Sequence, residues 1–196
     1  MIALPPCTHS RLHGQATSPV MTFREIYDEH FRFVWRSLRR LGVSESEAPD
    51  AVQDVFLVVH KKVGEFEGRS KMTTWLFGIC MRVAAARRRA PHARREVSDD
   101  GSQLEASDDQ ADPCVRAERR QGLELLEDVL SRIPLEQRAV FVMFELDGMS
   151  GDDIAELLEI PTGTVHSRLR LAREAFRLHV NRSQAHERFP RATREV

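Results

Sequence analysis

The run Ile154-Ala-Glu-Leu-Leu-Glu-Ile-Pro-Thr-Gly-Thr-Val-His-Ser-Arg-Leu-Arg-Leu-Ala-Arg-Glu-Ala-Phe176 divides into two short amphipathic helices joined by a tight turn. Ile154, Leu157 and Leu158 fall on one face of the first helix. Val165, Leu169, Ala172 and Phe176 recur at steps of four, three and four residues, so they form one apolar stripe on the second. At about 100° per residue, Gly163, His166, Ser167, Arg170, Arg173 and Arg177 lie opposite that stripe. Thr162 is an N-cap candidate, because its hydroxyl can accept from a backbone N–H left without an intrahelical partner. Glu159 stands in the turn, where a non-glycine residue at positive φ costs about 1 kcal/mol.

A helix that buries one stripe and presents guanidinium and hydroxyl groups on the other can donate to phosphates and to guanine edges. With the shorter helix before it, it reads as the recognition helix of a helix-turn-helix. Taken alone, the same pattern also fits a solvated helical hairpin with an arginine-rich outer face.

The rest of the chain supports an all-α fold. Charged residues make up 30% of the sequence, there is a single Tyr, and alternating strand-like runs are few. The 196 residues suffice for two small domains. A net charge of −1 excludes a uniformly basic coat for nucleic acid. The charge is segregated, however: Arg87, Arg88, Arg89, Arg94 and Arg95 form a basic block, followed by a mostly acidic stretch over 96–118. Cys7, Cys80 and Cys114 are odd in number and far apart, which fits a reducing cytoplasm rather than a disulfide framework. Cys7, His9 and His13 lack a fourth metal ligand. No apolar run approaches the roughly 20 residues of a membrane span, so no membrane insertion is predicted.

Working outward from the quoted run, Ser150 with Asp153 caps its first helix, and Gly148 closes a mostly buried helix over 137–146. Pro134 ends a preceding helix with a stripe of Leu123, Leu126, Leu130 and Ile133. This C-terminal domain is placed at 116–181, with a disordered tail at 182–196. Residues 93–115 read as a flexible acidic linker that lacks apolar anchors. Upstream, a second helical domain at 22–92 opens with a Thr22-Phe-Arg-Glu25 capping box. Its first helix carries Phe23, Tyr27, Phe31, Val34, Leu38 and Leu41, and stops at Gly42. The second has Ser44 or Ser46 as cap, Pro49 in its first turn, and a stripe of Val52, Val55, Phe56, Val59 and Val63. A loop over 65–73 leads to a third helix that begins near Thr73 or Thr74 and runs into the arginine block. Trp75 reads as a core residue of that helix. Residues 1–21 show no period and read as a disordered extension, with Met21 as an alternative start.

Several of these segments carry a recognisable pattern: Asp50-Ala-Val-Gln-Asp-Val-Phe-Leu57, Phe66-Glu-Gly, Thr74-Trp-Leu-Phe-Gly-Ile79 and the arginine cluster in the first domain, and Ile133-Pro-Leu-Glu-Gln-Arg-Ala-Val-Phe141, Gly148-Met-Ser150, Ile154-Ala-Glu156 and Gly163-Thr-Val-His-Ser-Arg-Leu169 in the second. The chain resembles the extracytoplasmic-function sigma factors, the small two-domain branch of bacterial sigma factors. The resemblance covers roughly 22–90 and 118–178.

It implies a specificity subunit of RNA polymerase that initiates transcription at chosen promoters. The helix over 50–63 would then dock polymerase core through Asp50, Gln53, Asp54 and Phe56. Phe66, Arg69, Lys71, Met72, Arg82, Arg87 and Arg88 would capture and open the minus-ten element, a task that needs a base pocket and cations along a single strand. Thr162, Thr164, His166, Ser167, Arg168, Arg170 and Arg173 would meet the minus-thirty-five element. An anti-sigma factor is the implied inhibitor, and no cofactor is implied. The chain departs from the family where Arg82 replaces the usual Asn, where His166 replaces a basic residue, where Leu171 replaces Arg, and where Glu159 replaces Gly. The rival reading is a free-standing helix-turn-helix regulator, which leaves 50–89 without a task. An enzyme is excluded on composition of motifs: there is no nucleophile-and-base set, no phosphate-cradling glycine loop and no ligand cluster.

Overall fold

Thr22 opens the first helix as the capping box predicts. Its hydroxyl accepts from the Glu25 N–H, and the Glu25 carboxylate accepts from the Thr22 N–H at 2.7 Å. The computed structural model describes residues 22–68, 70–89 and 112–188, and among these all regular structure is helical. The expected extension 1–21, most of the expected linker 93–115 and the end of the expected tail lie outside the described residues.

Helix α1 (Phe23–Arg40) ends at Leu41, and Gly42 follows at φ +93°, a backbone conformation that favours glycine. Ile26, Val34 and Leu38 are its fully buried residues. Phe23 and Phe31 are only half-buried and Tyr27 is exposed, so the apolar side of α1 splits into a core face and an aromatic flank. Helix α2 (Ala48–Lys62) starts with Pro49 in its first turn, as expected. Its cap differs from expectation. Glu47 occupies the cap position, and Ser44 donates its hydroxyl to the Glu47 carboxylate at 2.6 Å instead of capping. After a 3₁₀ turn (Val63–Glu65) and a short loop, α3 (Met72–Arg89) begins one residue earlier than expected, on the Lys71 carbonyl. The three helices pack pairwise on one another. Val55, Val59, Leu76, Phe77 and Cys80 complete the core they share. Each such side chain, fully buried, contributes about 1.5–3 kcal/mol.

Helix α4 (Pro113–Ser131) is capped by the Asp112 side chain, which accepts from the Cys114 N–H at 3.0 Å. Residues 113–115, expected in the linker, are therefore helical. Leu123 is 42% exposed, and Val129 takes its place in the core beside Leu130 and Ile133. Helix α5 (Leu135–Phe141) continues into a π turn (Val142–Leu146). One wide turn of this kind is how the helix reaches Gly148 while keeping Val142 and Met143 buried.

Ser150 caps α6 (Gly151–Leu158), accepting from the Asp153 N–H at 3.1 Å. Glu159 closes α6 at φ 54°, ψ 44°, so the turn takes the left-handed conformation despite the cost of a non-glycine residue there. Helix α7 (Thr162–Arg188) then runs on well past the expected end of the domain at 181. Its first carbonyl is that of Pro161, which accepts from Thr164 and Val165, so Thr162 lies inside the helix and is not its cap. The Thr162 hydroxyl donates instead to the Asp152 carboxylate at 3.3 Å.

The two helical units meet through α1 with α4 and α3 with α6. Arg138, only 3% exposed, is central to this contact. Its guanidinium donates to the Ser131 carbonyl at 2.6 Å and the Ile133 carbonyl at 2.8 Å within its own unit, and to the Leu41 carbonyl at 2.7 Å in the other. One side chain thus satisfies the last carbonyls of two helices, which have no intrahelical donors.

Candidate functional site

The described candidate residues fall on three surfaces. The first lies between α1 and α2. Asp50, Gln53 and Asp54 are exposed on α2, as required of residues that meet a partner. Phe56 is 4% exposed, and this corrects its placement as a surface contact. It forms the floor of a groove of about 640 Å³, whose aromatic wall is built by Phe23, Tyr27, Phe31 and Trp35. The Tyr27 and Phe56 rings lie 4.6 Å apart, and Phe31 stacks on Phe56 at 6.5 Å. Leu57, next to Phe56 and 52% exposed, is the apolar side chain that α2 offers at the surface. The acidic groups therefore stand beside an accessible apolar trough, a combination that suits a partner helix with apolar and basic side chains.

The second surface is the loop 66–71 with α3. Phe66 and Trp75 are half-buried, with ring centroids 5.2 Å apart. Trp75 is thus not the core residue expected of it: its ring shares a rim position with Phe66. Met72 is half-buried too, while Lys71, Arg82 and Arg88 are exposed. Arg69 lies outside the described residues. Arg87 is turned back and donates to the Asp54 carboxylate of α2, with its own Nε buried and unpartnered. This pair joins a candidate polymerase-facing acid to a candidate DNA-facing cation.

The third surface is the outer face of α7. Val165, Leu169 and Ala172 are buried as their spacing requires, and Phe176 stacks on Phe141 at 5.0 Å. His166, Ser167, Arg170 and Arg173 are exposed on the opposite side. Thr164 is half-buried, and its carbonyl accepts from the Ser167 hydroxyl at 2.9 Å. The His166 ring leans toward Gly151 at the start of α6, where a Cβ would sit 3.3 Å from Nε2. Arg168 is half-buried on the flank and donates to Glu136 of α5 at 2.7 Å.

Arg170 and Arg173 are paired as well. Arg170 donates to Glu174 at 2.7 Å, one turn on, and Arg173 donates to Glu145 at 2.6 Å while lying 5.5 Å from the centre of the Phe144 ring. Exposed pairs of this kind are worth about 0–1 kcal/mol, so a stronger anion can displace the acid.

Sequence reasoning missed the aromatic wall, although the five aromatics of α1, Phe23, Tyr27, Phe31, Phe33 and Trp35, exceed what a single core face can bury. It also missed the acids Glu136 and Glu145, whose partners become apparent only in three dimensions.

The family model described as Sigma-70 region 2 matches residues 26–95, and Sigma-70, region 4 matches residues 123–176. The ECF RNA polymerase sigma-E factor of Haemophilus influenzae is 31% identical over 142 residues, covering 67% of this chain and 74% of that protein. The factor of the same name from Escherichia coli is 30% identical, covering 68% and 73%. Two solved structures share the fold. One is CnrH in complex with the cytosolic domain of CnrY, with a TM-score of 0.58, 21% identity and coverage of 81% and 87%. The other is the sigma factor RpoE in complex with the anti-sigma factor NepR from Bartonella quintana, with a TM-score of 0.52, 21% identity and coverage of 79% and 96%. With all of the aromatic-and-acid surface except Phe23, and the Phe66–Trp75 rim, inside the first match, and His166, Arg170 and Arg173 inside the second, the chain belongs to the ECF sigma factors.

Proposed function

We propose that this chain directs RNA polymerase core to a limited set of promoters, binds both promoter elements and helps to open the DNA. Asp50, Gln53 and Asp54, with Leu57 as the exposed apolar neighbour, form the polymerase contact. Phe66 and Met72, with Trp75 behind them, receive an unstacked base of the minus-ten element. Lys71, Arg69, Arg82, Arg87 and Arg88 follow the strand as cations. His166, Ser167, Arg170 and Arg173 read the minus-thirty-five element, with Thr162, Thr164 and Arg168 near its backbone. Its work is binding rather than catalysis, and polymerase and promoter place it in the cytoplasm. An anti-sigma factor restrains it, by analogy with the complex that contains NepR.

The observation that carries this reading is α7: Val165, Leu169 and Ala172 of its apolar stripe are buried in the core, and Arg170 and Arg173 are exposed on the opposite face. An Arg fork that meets guanine O6 and N7 together discriminates by about 1–3 kcal/mol. The test is run-off transcription with polymerase core over a randomised minus-thirty-five element. Arg170→Ala should weaken the preferred promoter and flatten base preference at one or two positions, whereas Arg168→Ala should lower all sequences alike. An unchanged preference in Arg170→Ala removes this face from DNA reading.

A further inference from the structure

His166 stands apart from the arginines that share its helix. Arg168, Arg170 and Arg173 each carry an acid, Glu136, Glu174 and Glu145 respectively. The His166 imidazole is exposed, and among the described residues it has neither an ion-pair nor a hydrogen-bond partner. It lines a shallow hollow of about 320 Å³ together with Arg170, Arg173 and Arg177. Its ring leans over the start of α6, where a Cβ on Gly151 would lie 3.3 Å from Nε2.

In a helix-turn-helix the first helix crosses the DNA backbone while the second enters the groove. A side chain of α7 that lies against the first turn of α6 is therefore on the phosphate side of the recognition surface. That first turn carries Asp152 and Asp153, and Asp152 already accepts from the Thr162 hydroxyl at 3.3 Å. On α7 itself Arg170 lies one turn beyond His166 and is held by Glu174. From the π turn Glu145 reaches the same face, where it holds Arg173. A phosphate arriving at His166 thus meets no carboxylate bound to the ring.

We propose that His166 grips a phosphate of the minus-thirty-five duplex as the imidazolium, so that promoter binding takes up a proton. The proposal rests on α7 meeting DNA as read above, and it moves His166 from the base edges to the backbone. A neutral imidazole donates one hydrogen bond, whereas the imidazolium donates two and adds a charge. Histidine is the side chain that exchanges these forms near neutral pH. A neighbouring phosphate favours the charged form. The bound state therefore holds more protons than the free state, and binding is stronger at low pH and weakens as pH rises. Promoter output then follows pH at a fixed amount of chain.

The test uses holoenzyme, polymerase core with the full chain, on the duplex that the wild type selects from the randomised minus-thirty-five pool. Wild type, His166→Arg and His166→Gln are compared at about pH 6 and about pH 8. Relative to His166→Arg, the wild type should lose about tenfold in affinity between the lower and the higher pH. His166→Arg should bind tightly at both and His166→Gln weakly at both. Replacing the duplex phosphates one at a time with uncharged methylphosphonate should abolish the wild-type pH response at one position.

A pH response that both variants share with the wild type belongs to other groups and overturns the proposal. So does a response that survives every methylphosphonate, which puts His166 on a base edge. If His166→Arg and His166→Gln weaken binding equally at both pH values, charge is not what His166 supplies, and the proposal falls. Promoter binding that is independent of pH sinks this inference alone, whereas a holoenzyme that binds no promoter at either pH sinks the proposed function with it.

Discussion

Gly42→Ala is a small change with two separable costs. The residue sits at φ +93°, where a side chain adds about 1 kcal/mol of backbone strain. The new Cβ would also displace Arg138 Nη1 from the Leu41 carbonyl, which it now meets at 2.7 Å. A hydrogen bond from a charged donor contributes about 1.5–3 kcal/mol net. Together the loss is about 3 kcal/mol, which for a chain of this length lowers the melting temperature by about 6–12 °C. Arg138→Ala removes the guanidinium and leaves three carbonyls without their donor, at a cost of about 3–5 kcal/mol. With Arg138 already gone, Gly42→Ala should cost only its backbone strain. Urea unfolding of the two single variants and the double variant should give an interaction energy of about 1.5–3 kcal/mol. Additivity within about 0.5 kcal/mol would show that Gly42 and Arg138 are not coupled, and the account of this contact would fail.

Three further outcomes are expected. Asp54→Arg should abolish pull-down of polymerase core with little change in thermal stability, because its exposed pair with Arg87 is worth only about 0–1 kcal/mol; retained pull-down would remove Asp54 from the contact. Glu159→Gly should stabilise the chain by about 0.5–1 kcal/mol in denaturant unfolding, since glycine adopts φ 54° without a Cβ clash, and a loss of stability would refute the strain assigned to that turn. Burial pushes the Asp147 carboxyl above its usual range, against the pull of Arg40 and Arg36. The same burial lowers the Arg40 pKa, so this pair does not offset its own desolvation. A raised carboxyl pKa in the folded chain means that folding is favoured at low pH and loses that advantage as pH rises through the raised value. Asp147→Asn should therefore be at least as stable as the wild type in urea unfolding at neutral pH, with the difference vanishing on acidification; a clear loss of stability in Asp147→Asn at neutral pH would reverse the sign.

Local signals were legible wherever one side chain decides the outcome. Thr22 with Glu25, Ser150 with Asp153, and Gly42 each set a helix boundary through bonds or conformations confined to a few residues. The α7 stripe was legible because Val165, Leu169 and Ala172 have no alternative face to bury. The errors arose where a neighbour decides. Phe56 and Leu57 are adjacent and both apolar, and only the position of α1 buries one and exposes the other. Thr162 had the right chemistry for a cap, but Pro161 supplies the first carbonyl, and Asp152 offered the hydroxyl a partner. Nothing in 182–188 marked a helix stop, since no Gly or Pro interrupts it, and polarity alone suggested a tail. The reach of Arg138 to Leu41 joins residues far apart in sequence and has no local trace.

If α7 meets DNA as proposed, the carboxylates that hold Arg168, Arg170 and Arg173 also bear on how the protein searches a chromosome. Cationic side chains usually gain affinity for any duplex by releasing condensed counterions, whatever the sequence. Here each arginine already has an anion, Glu136, Glu174 or Glu145, which must be set free when a phosphate replaces it. The exchange is close to neutral, so random DNA offers little reward and the dependence on salt is shallower than the count of arginines implies. What the acids cannot imitate is the paired acceptor edge of guanine. On the proposed reading, residence time on the genome would be weighted toward sites with the right bases, and the many wrong sites would be left quickly.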